Sequence, residues 1–116
     1  MNFKRQYSFQ QRLEESSRIL SKFPDRIPII CEKSTSASND CPEIDKRKYL
    51  VPRDLTIGQF LFVIRKRMKF SAEKGMFLII ENFIPPSSII ISEIYNNYVD
   101  NDRFLYISYS TENVFG

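Results

Sequence analysis

At 116 residues the chain has room for one domain with a real core and not for two. With 42% apolar and 27% charged residues it has the balance of a soluble globular protein, and its longest apolar clusters, Met76 to Ile80 and Ile89 to Ile91, are too short to span a bilayer. The net charge of +3 hides an asymmetry: residues 1–69 carry 15 Lys/Arg against 8 Asp/Glu, residues 70–116 carry 2 against 6, so one end of the sequence suits acidic partners.

In chain order, Asn2 to Ser8 reads as a short basic turn or helix. Residues 9–23 then place Phe9, Leu13, Leu20 and Phe23 on one stripe at helical spacing, and Pro24 ends that helix. Arg26 to Glu32 reads as a strand with Pro28 near its start or at an unpaired side, because proline has no N–H to give a ladder. Lys33 to Glu43 is a polar, serine-rich loop. A second strand follows at Lys48 to Pro52, where Pro52 favours a sheet edge.

Thr56-Ile57-Gly58-Gln59 has the capping-box pattern and opens a helix to about Met68, with Ile57, Phe60, Leu61, Ile64 and Met68 as its core stripe. Arg65, Lys66, Arg67 and Lys69 crowd its last turn, where cations complement the helix dipole. A third strand, Met76 to Ile80, precedes the Pro85-Pro86 turn. A short helix with Ile91, Ile94, Tyr95 and Tyr98 on one face leads to a last strand, Phe104 to Tyr109. From the first strand onward this is the β-grasp order, an α+β fold in which a four-stranded mixed sheet wraps one main helix and an additional N-terminal helix packs outside.

The same residues argue against several chemistries. The sequence has no histidine, which removes the usual base for a serine or cysteine nucleophile and leaves a zinc site only carboxylates to recruit. Cys31 and Cys41 read as free thiols in a reducing compartment. Gly58, Gly75 and Gly116 do not form a phosphate loop. Met1 to Gln6 runs into polar residues rather than a secretory signal, which makes a cytosolic chain the simplest reading. No cofactor is called for, catalysis is the least supported class, and nucleic acid is disfavoured because Phe and Tyr fall on core stripes rather than in an exposed stacking row.

Alternation makes both faces of the first strand apolar, with Ile27, Ile29 and Cys31 on one and Pro28 and Ile30 on the other; in the second strand Tyr49 and Val51 oppose Lys48 and Leu50. Either the N-terminal helix covers the second face entirely, or a groove remains beside the edge strand to accept an extended peptide as an added strand.

Long stretches of the sequence resemble a known family. Phe23-Pro24-Asp25-Arg26-Ile27-Pro28-Ile29-Ile30, Lys46-Arg47-Lys48-Tyr49-Leu50-Val51-Pro52-Arg53-Asp54-Leu55-Thr56-Ile57-Gly58-Gln59-Phe60, Ile64-Arg65-Lys66-Arg67, Ile84-Pro85-Pro86 and Phe104-Leu105-Tyr106 resemble the autophagy ubiquitin-like modifiers of the GABARAP and microtubule-associated protein light chain 3 family. The likeness runs from about Phe3 to Gly116 and implies residues 1–24 as a helical extension and 25–116 as the ubiquitin-like domain.

The resemblance also implies the groove and its occupant, a W/F/Y-x-x-L/I/V peptide of cargo receptors and autophagy proteins. Glu15, Ile19, Pro28, Ile30, Lys48, Leu50 and Phe104 would form a deeper pocket for the aromatic side chain. Tyr49, Val51, Pro52, Leu55, Phe60 and Val63 would take the aliphatic one, while Lys46, Lys48 and Arg67 would attract flanking acidic residues. It implies further that Gly116 is joined to phosphatidylethanolamine by activating and conjugating enzymes and released by a deconjugating cysteine protease. The protein would then pass from the cytoplasm to autophagosomal or other vesicle membranes. Lys4, Arg5 and Arg12 would assist contact with acidic membranes or microtubules. An unconjugated adaptor in vesicle or microtubule-linked trafficking is the competing reading. The sequence departs from the family pattern in a slightly longer loop at Ser34 to Glu43, in Arg103 before Phe104, and in ending on the glycine without further residues to trim.

Overall fold

The computed structural model describes residues 2–69 and 75–111. Its elements run α1 (Phe3–Gln6), α2 (Phe9–Lys22), β1 (Arg26–Lys33), β2 (Lys48–Pro52), α3 (Ile57–Met68), β3 (Phe77–Ile79), α4 (Ile91–Tyr98) and β4 (Leu105–Ser110). Each long helix begins where a side chain can satisfy its orphan amides. Ser8 accepts from Gln11 N while the Gln11 side chain accepts from Ser8 N, and Thr56 and Gln59 repeat this reciprocal box at the start of α3.

The strands form one sheet in the order β2-β1-β4-β3. β1 pairs antiparallel with β2, Ile27 opposite Val51 and Ile29 opposite Tyr49, and parallel with β4, beginning at Ile29 opposite Leu105. Pro28 precedes that parallel ladder, so its missing N–H falls where β1 has a single neighbour. β2 lies at one edge, as Pro52 led us to expect.

Alternation along β1 divides the molecule into two apolar layers. Ile27, Ile29 and Cys31 join Tyr49 and Val51 of β2 beneath Ile57, Phe60 and Ile64 of α3, while Ile91 and Ile94 of α4 close the same cluster. Ile30 points the other way and packs with Phe3 and Phe104, with Ile19 of α2 and Tyr106 against them. α3 thus buries the stripe its sequence predicts, Leu61 and Met68 sitting partly buried at its margins. The Ser34 to Glu43 loop is tied down as well: Cys41 is buried, and the Tyr109 hydroxyl donates to Pro42 O at 2.7 Å.

The packing of α2 differs from the expected stripe. Phe9 and Phe23 are exposed, Leu13 and Leu20 only half-buried, and the buried residues of the helix are Arg12 and Ser16. The cause lies far along the chain, at Asp102. Arg12 Nη1 stands 3.2 Å from Asp102 Oδ2, and Ser16 Oγ donates to Asp102 O at 2.6 Å. A polar seam therefore fastens α2 to the segment before β4, and the helix is rotated to serve it.

Candidate functional site

β2 presents its outer edge beside two differently filled faces. On the face towards α1 and α2, Pro28 lies opposite Leu50 and Ile30 opposite Lys48. Ile30 and Phe104 are wholly buried, Glu15, Ile19 and Lys48 are half-buried, and Leu50 is 37% exposed. The residues expected to build the deeper pocket therefore form an apolar floor of Pro28, Ile30 and Phe104, with Leu50 on the open surface. Lys48 pairs with Glu15 across it.

Phe3 belongs to this floor and was given no role by sequence reasoning. It is 1% exposed, meets Phe104 edge-on at 5.3 Å between ring centroids, and carries Arg47 and Lys48 over its ring. An aromatic residue inside a basic N-terminal stretch was the available signal. Glu32 Oε2 accepts from Phe3 N at 2.8 Å and fixes the ring's backbone to β1.

On the face towards α3, Tyr49, Val51 and Phe60 are almost wholly buried, and the Tyr49 and Phe60 rings meet edge-on at 5.6 Å. They support the surface from below rather than lining it openly. Leu55 is half-buried, and Pro52 and Val63 are exposed. Two adjoining hollows lie there. One of about 690 Å³ is lined by Asp45, Lys46, Tyr49, Phe62, Val63, Lys66, Arg67 and Lys69; the other, of about 510 Å³, by Leu55, Thr56, Gly58, Gln59, Phe62, Val63 and Ser87. Val63 and Phe62 form their shared wall, and Phe62, at 65% exposure, was left off every predicted stripe.

The three cations expected to meet acidic ligands are all engaged internally. Lys46 sits 5.1 Å over the Tyr49 ring, Lys48 pairs with Glu15, and Arg67 pairs with Asp45. Tyr49 donates to Lys46 O at 2.7 Å, and burial above all pushes its phenol up to about 12. Of the basic residues proposed for membranes or microtubules, Arg5 is exposed, Lys4 pairs with Asp100 at 2.6 Å, and Arg12 is buried against Asp102. Arg12 is therefore a structural cation rather than a surface contact. Arg103 adopts a left-handed φ of 72° and reaches Ser17 Oγ at 3.4 Å.

Burial and the neighbouring charge of Glu32 push the Cys31 thiol up, so it is not a thiolate at neutral pH. Among the described residues no helix is long and apolar enough to cross a membrane. Gly116 lies outside the described residues.

A four-stranded mixed sheet with its main helix on one face and paired N-terminal helices on the other defines a ubiquitin-like protein with a helical extension. A family model described as "Autophagy protein Atg8 ubiquitin like" matches residues 11–116. Autophagy-related protein 8 of Kluyveromyces marxianus is 53% identical over 98% of this chain and 90% of its own length. The Mycosarcoma maydis protein of that name is 52% identical over 98% of the chain and 95% of its own. The crystal structure of Trypanosoma brucei ATG8 superposes with a TM-score of 0.88 at 41% identity, covering 95% of this chain and 93% of that one. The chain belongs to the Atg8 family of autophagy ubiquitin-like proteins.

Proposed function

We infer that this protein is a modifier joined through Gly116 to phosphatidylethanolamine on autophagosomal membranes, where it docks W/F/Y-x-x-L/I/V peptides of cargo receptors and autophagy proteins. In this reading residues 25–116 are the conjugated domain and residues 1–24 its helical extension. The observation that carries the docking is the edge position of β2, with Leu50 exposed beside an apolar floor on one face and the Val63 hollows on the other. An extended peptide adding to β2 would gain backbone hydrogen bonds from the strand and set alternate side chains on either face. Two anchors of this kind support binding at roughly micromolar strength, about −8 kcal/mol.

The groove itself performs no chemistry. Activating and conjugating enzymes supply the bond to the lipid amine, a cysteine protease breaks it, and the two acyl chains hold the domain on the membrane at about 0.8 kcal/mol per buried methylene.

Two measurements test the reading. Leu50→Ala is expected to weaken a labelled motif peptide about tenfold while leaving the urea midpoint nearly unchanged, since the side chain stands at the surface. Unchanged affinity would move the groove elsewhere. Incubation with activating and conjugating enzymes, ATP and phosphatidylethanolamine liposomes should lipidate the parent protein and not Gly116→Ala. A parent that gains no lipid yet binds peptide would point instead to an unconjugated trafficking adaptor.

A further inference from the structure

Arg67 enters the groove already holding a carboxylate. Its Nε lies 2.9 Å from Asp45 Oδ1 and its Nη2 3.2 Å from Oδ2, a two-bond fork that occupies the guanidinium edge best shaped for a carboxylate. That hydrogen bonding lowers the Asp45 carboxyl and raises the Arg67 guanidinium. Both groups are open to water, the Arg67 side chain at 45% exposure and Asp45 at 72%, so the pair contributes little to holding the fold. Its place is more telling, because both residues line the 690 Å³ hollow together with Lys46, Tyr49 and Val63. Val63 and Arg67 stand one turn apart on the same face of α3. A peptide whose aliphatic anchor rests on Val63 brings its neighbouring residues to Arg67.

We propose that Asp45 is a built-in competitor for Arg67, which an acidic residue of an incoming peptide must displace, and that it thereby sets how strongly the groove favours acidic over neutral motifs. This rests on the peptide-docking reading above and names a specificity-determining residue within it. Exchange replaces one forked carboxylate by another, so Arg67 gains little from the ligand. The displaced Asp45 is then left beside the ligand's own negative charge. Discrimination in favour of acidic peptides is accordingly held below what three cations around one groove would give, an affinity difference set by a repulsive element as much as by an attractive one.

The probe is a short labelled peptide with Trp and Leu anchors and glutamates at the intervening positions, compared with its glutamine counterpart by fluorescence anisotropy. Asp45→Asn is expected to tighten the glutamate peptide about threefold and to leave the glutamine peptide within error. The gain should vanish in an Arg67→Gln background. Glu43→Gln removes the same charge from an exposed acid paired with Lys33 at 3.0 Å and should not discriminate between the peptides. An Asp45→Asn gain that is equal for both peptides, or that survives Arg67→Gln, would reduce the effect to net charge and overturn the competitor role. Leu50→Ala measured alongside separates the two readings. Leu50-dependent binding without an acid-selective gain refutes the competitor alone, whereas no binding of either peptide to the parent refutes both.

Discussion

Asp102 shows how much of this fold rests on a single side chain. It is wholly buried, and its carboxylate accepts from Arg12, from the Tyr106 hydroxyl and from Phe104 N at 2.9 Å, while its backbone carbonyl takes Ser16 Oγ. Its own N–H donates to Asp100 Oδ2 at 3.0 Å, and Asp100 in turn receives Lys4 of α1. Burial alone would raise the Asp100 carboxyl, but the hydrogen bonds from Lys4 and from the Asp102 backbone, together with the charges of Lys4 and Arg12, carry it below the ordinary carboxylate value. Removing one partner of a buried pair strands the other charge, a larger loss than the pair's own net worth. Asp102→Ala is therefore expected to cost about 3 kcal/mol in urea unfolding, since Arg12 would remain beneath α2 without its carboxylate. A change under about 1 kcal/mol would mean that water replaces the carboxylate at this seam.

At the scale of elements, α3 is where local sequence and final structure agree most closely. Its box at Thr56 and Gln59, its stripe of Ile57, Phe60 and Ile64, and its cationic last turn are all encoded within one helix. Gly58 adds a tertiary requirement: its N–H donates to Ser87 O at 2.9 Å, and a Cβ there would lie 3.2 Å from the same oxygen. The start of α3 is further clamped by Ile57 N to Ile89 O and Ile91 N to Leu55 O. Thr56→Ala is expected to lower stability by about 1 kcal/mol, read from the urea midpoint at constant slope. The strands β1 and β2 were equally legible, because Pro28, Pro52 and the two-residue alternation fix both their faces and the edge. α2 was not. Periodicity ranks residues by their own polarity, and nothing near Arg12 or Ser16 announces that Asp102 will bury them. The candidate site was readable in the same proportion: alternation assigns Lys48 and Leu50 to one side and Tyr49 and Val51 to the other. Phe3 beneath the first face, marked in the sequence only as an aromatic residue in a basic stretch, and Asp45 holding Arg67 on the second take their places from contacts between elements, which local periodicity does not assign.

For the molecule as a whole, the alkaline limit is expected to come from buried acids, the Cys31 thiol, raised from 9.0 by burial and by Glu32, and the phenols. Burial is the largest cause raising Tyr49, Tyr95, Tyr106 and Tyr109, with the hydrogen bond to Asp102 adding to it at Tyr106. A group raised in the folded state contributes stability that is complete below its unfolded value and is lost as pH climbs through the folded one. Here that interval opens near pH 9 for Cys31 and near pH 10 for the phenols, and extends through about 12 for Tyr49. With no histidine in the chain, the urea midpoint is expected to change little between about pH 7 and 8, to begin falling near about 9 as the unfolded thiol ionises, and to fall steeply above about 10. A midpoint that held through about pH 12 would show that these hydroxyls ionise without opening the core.

The parallel pairing of β1 with β4 also sets a schedule for the newborn chain. β1 is synthesised well before the strand that completes its second ladder, which begins at Leu105 opposite Ile29. Until then Ile30 lacks Phe104, Arg12 lacks Asp102, and only the β1–β2 hairpin and α3 can settle against each other. The domain therefore cannot close until β4 has been synthesised, and until then the β1 edge that β4 covers has no partner strand.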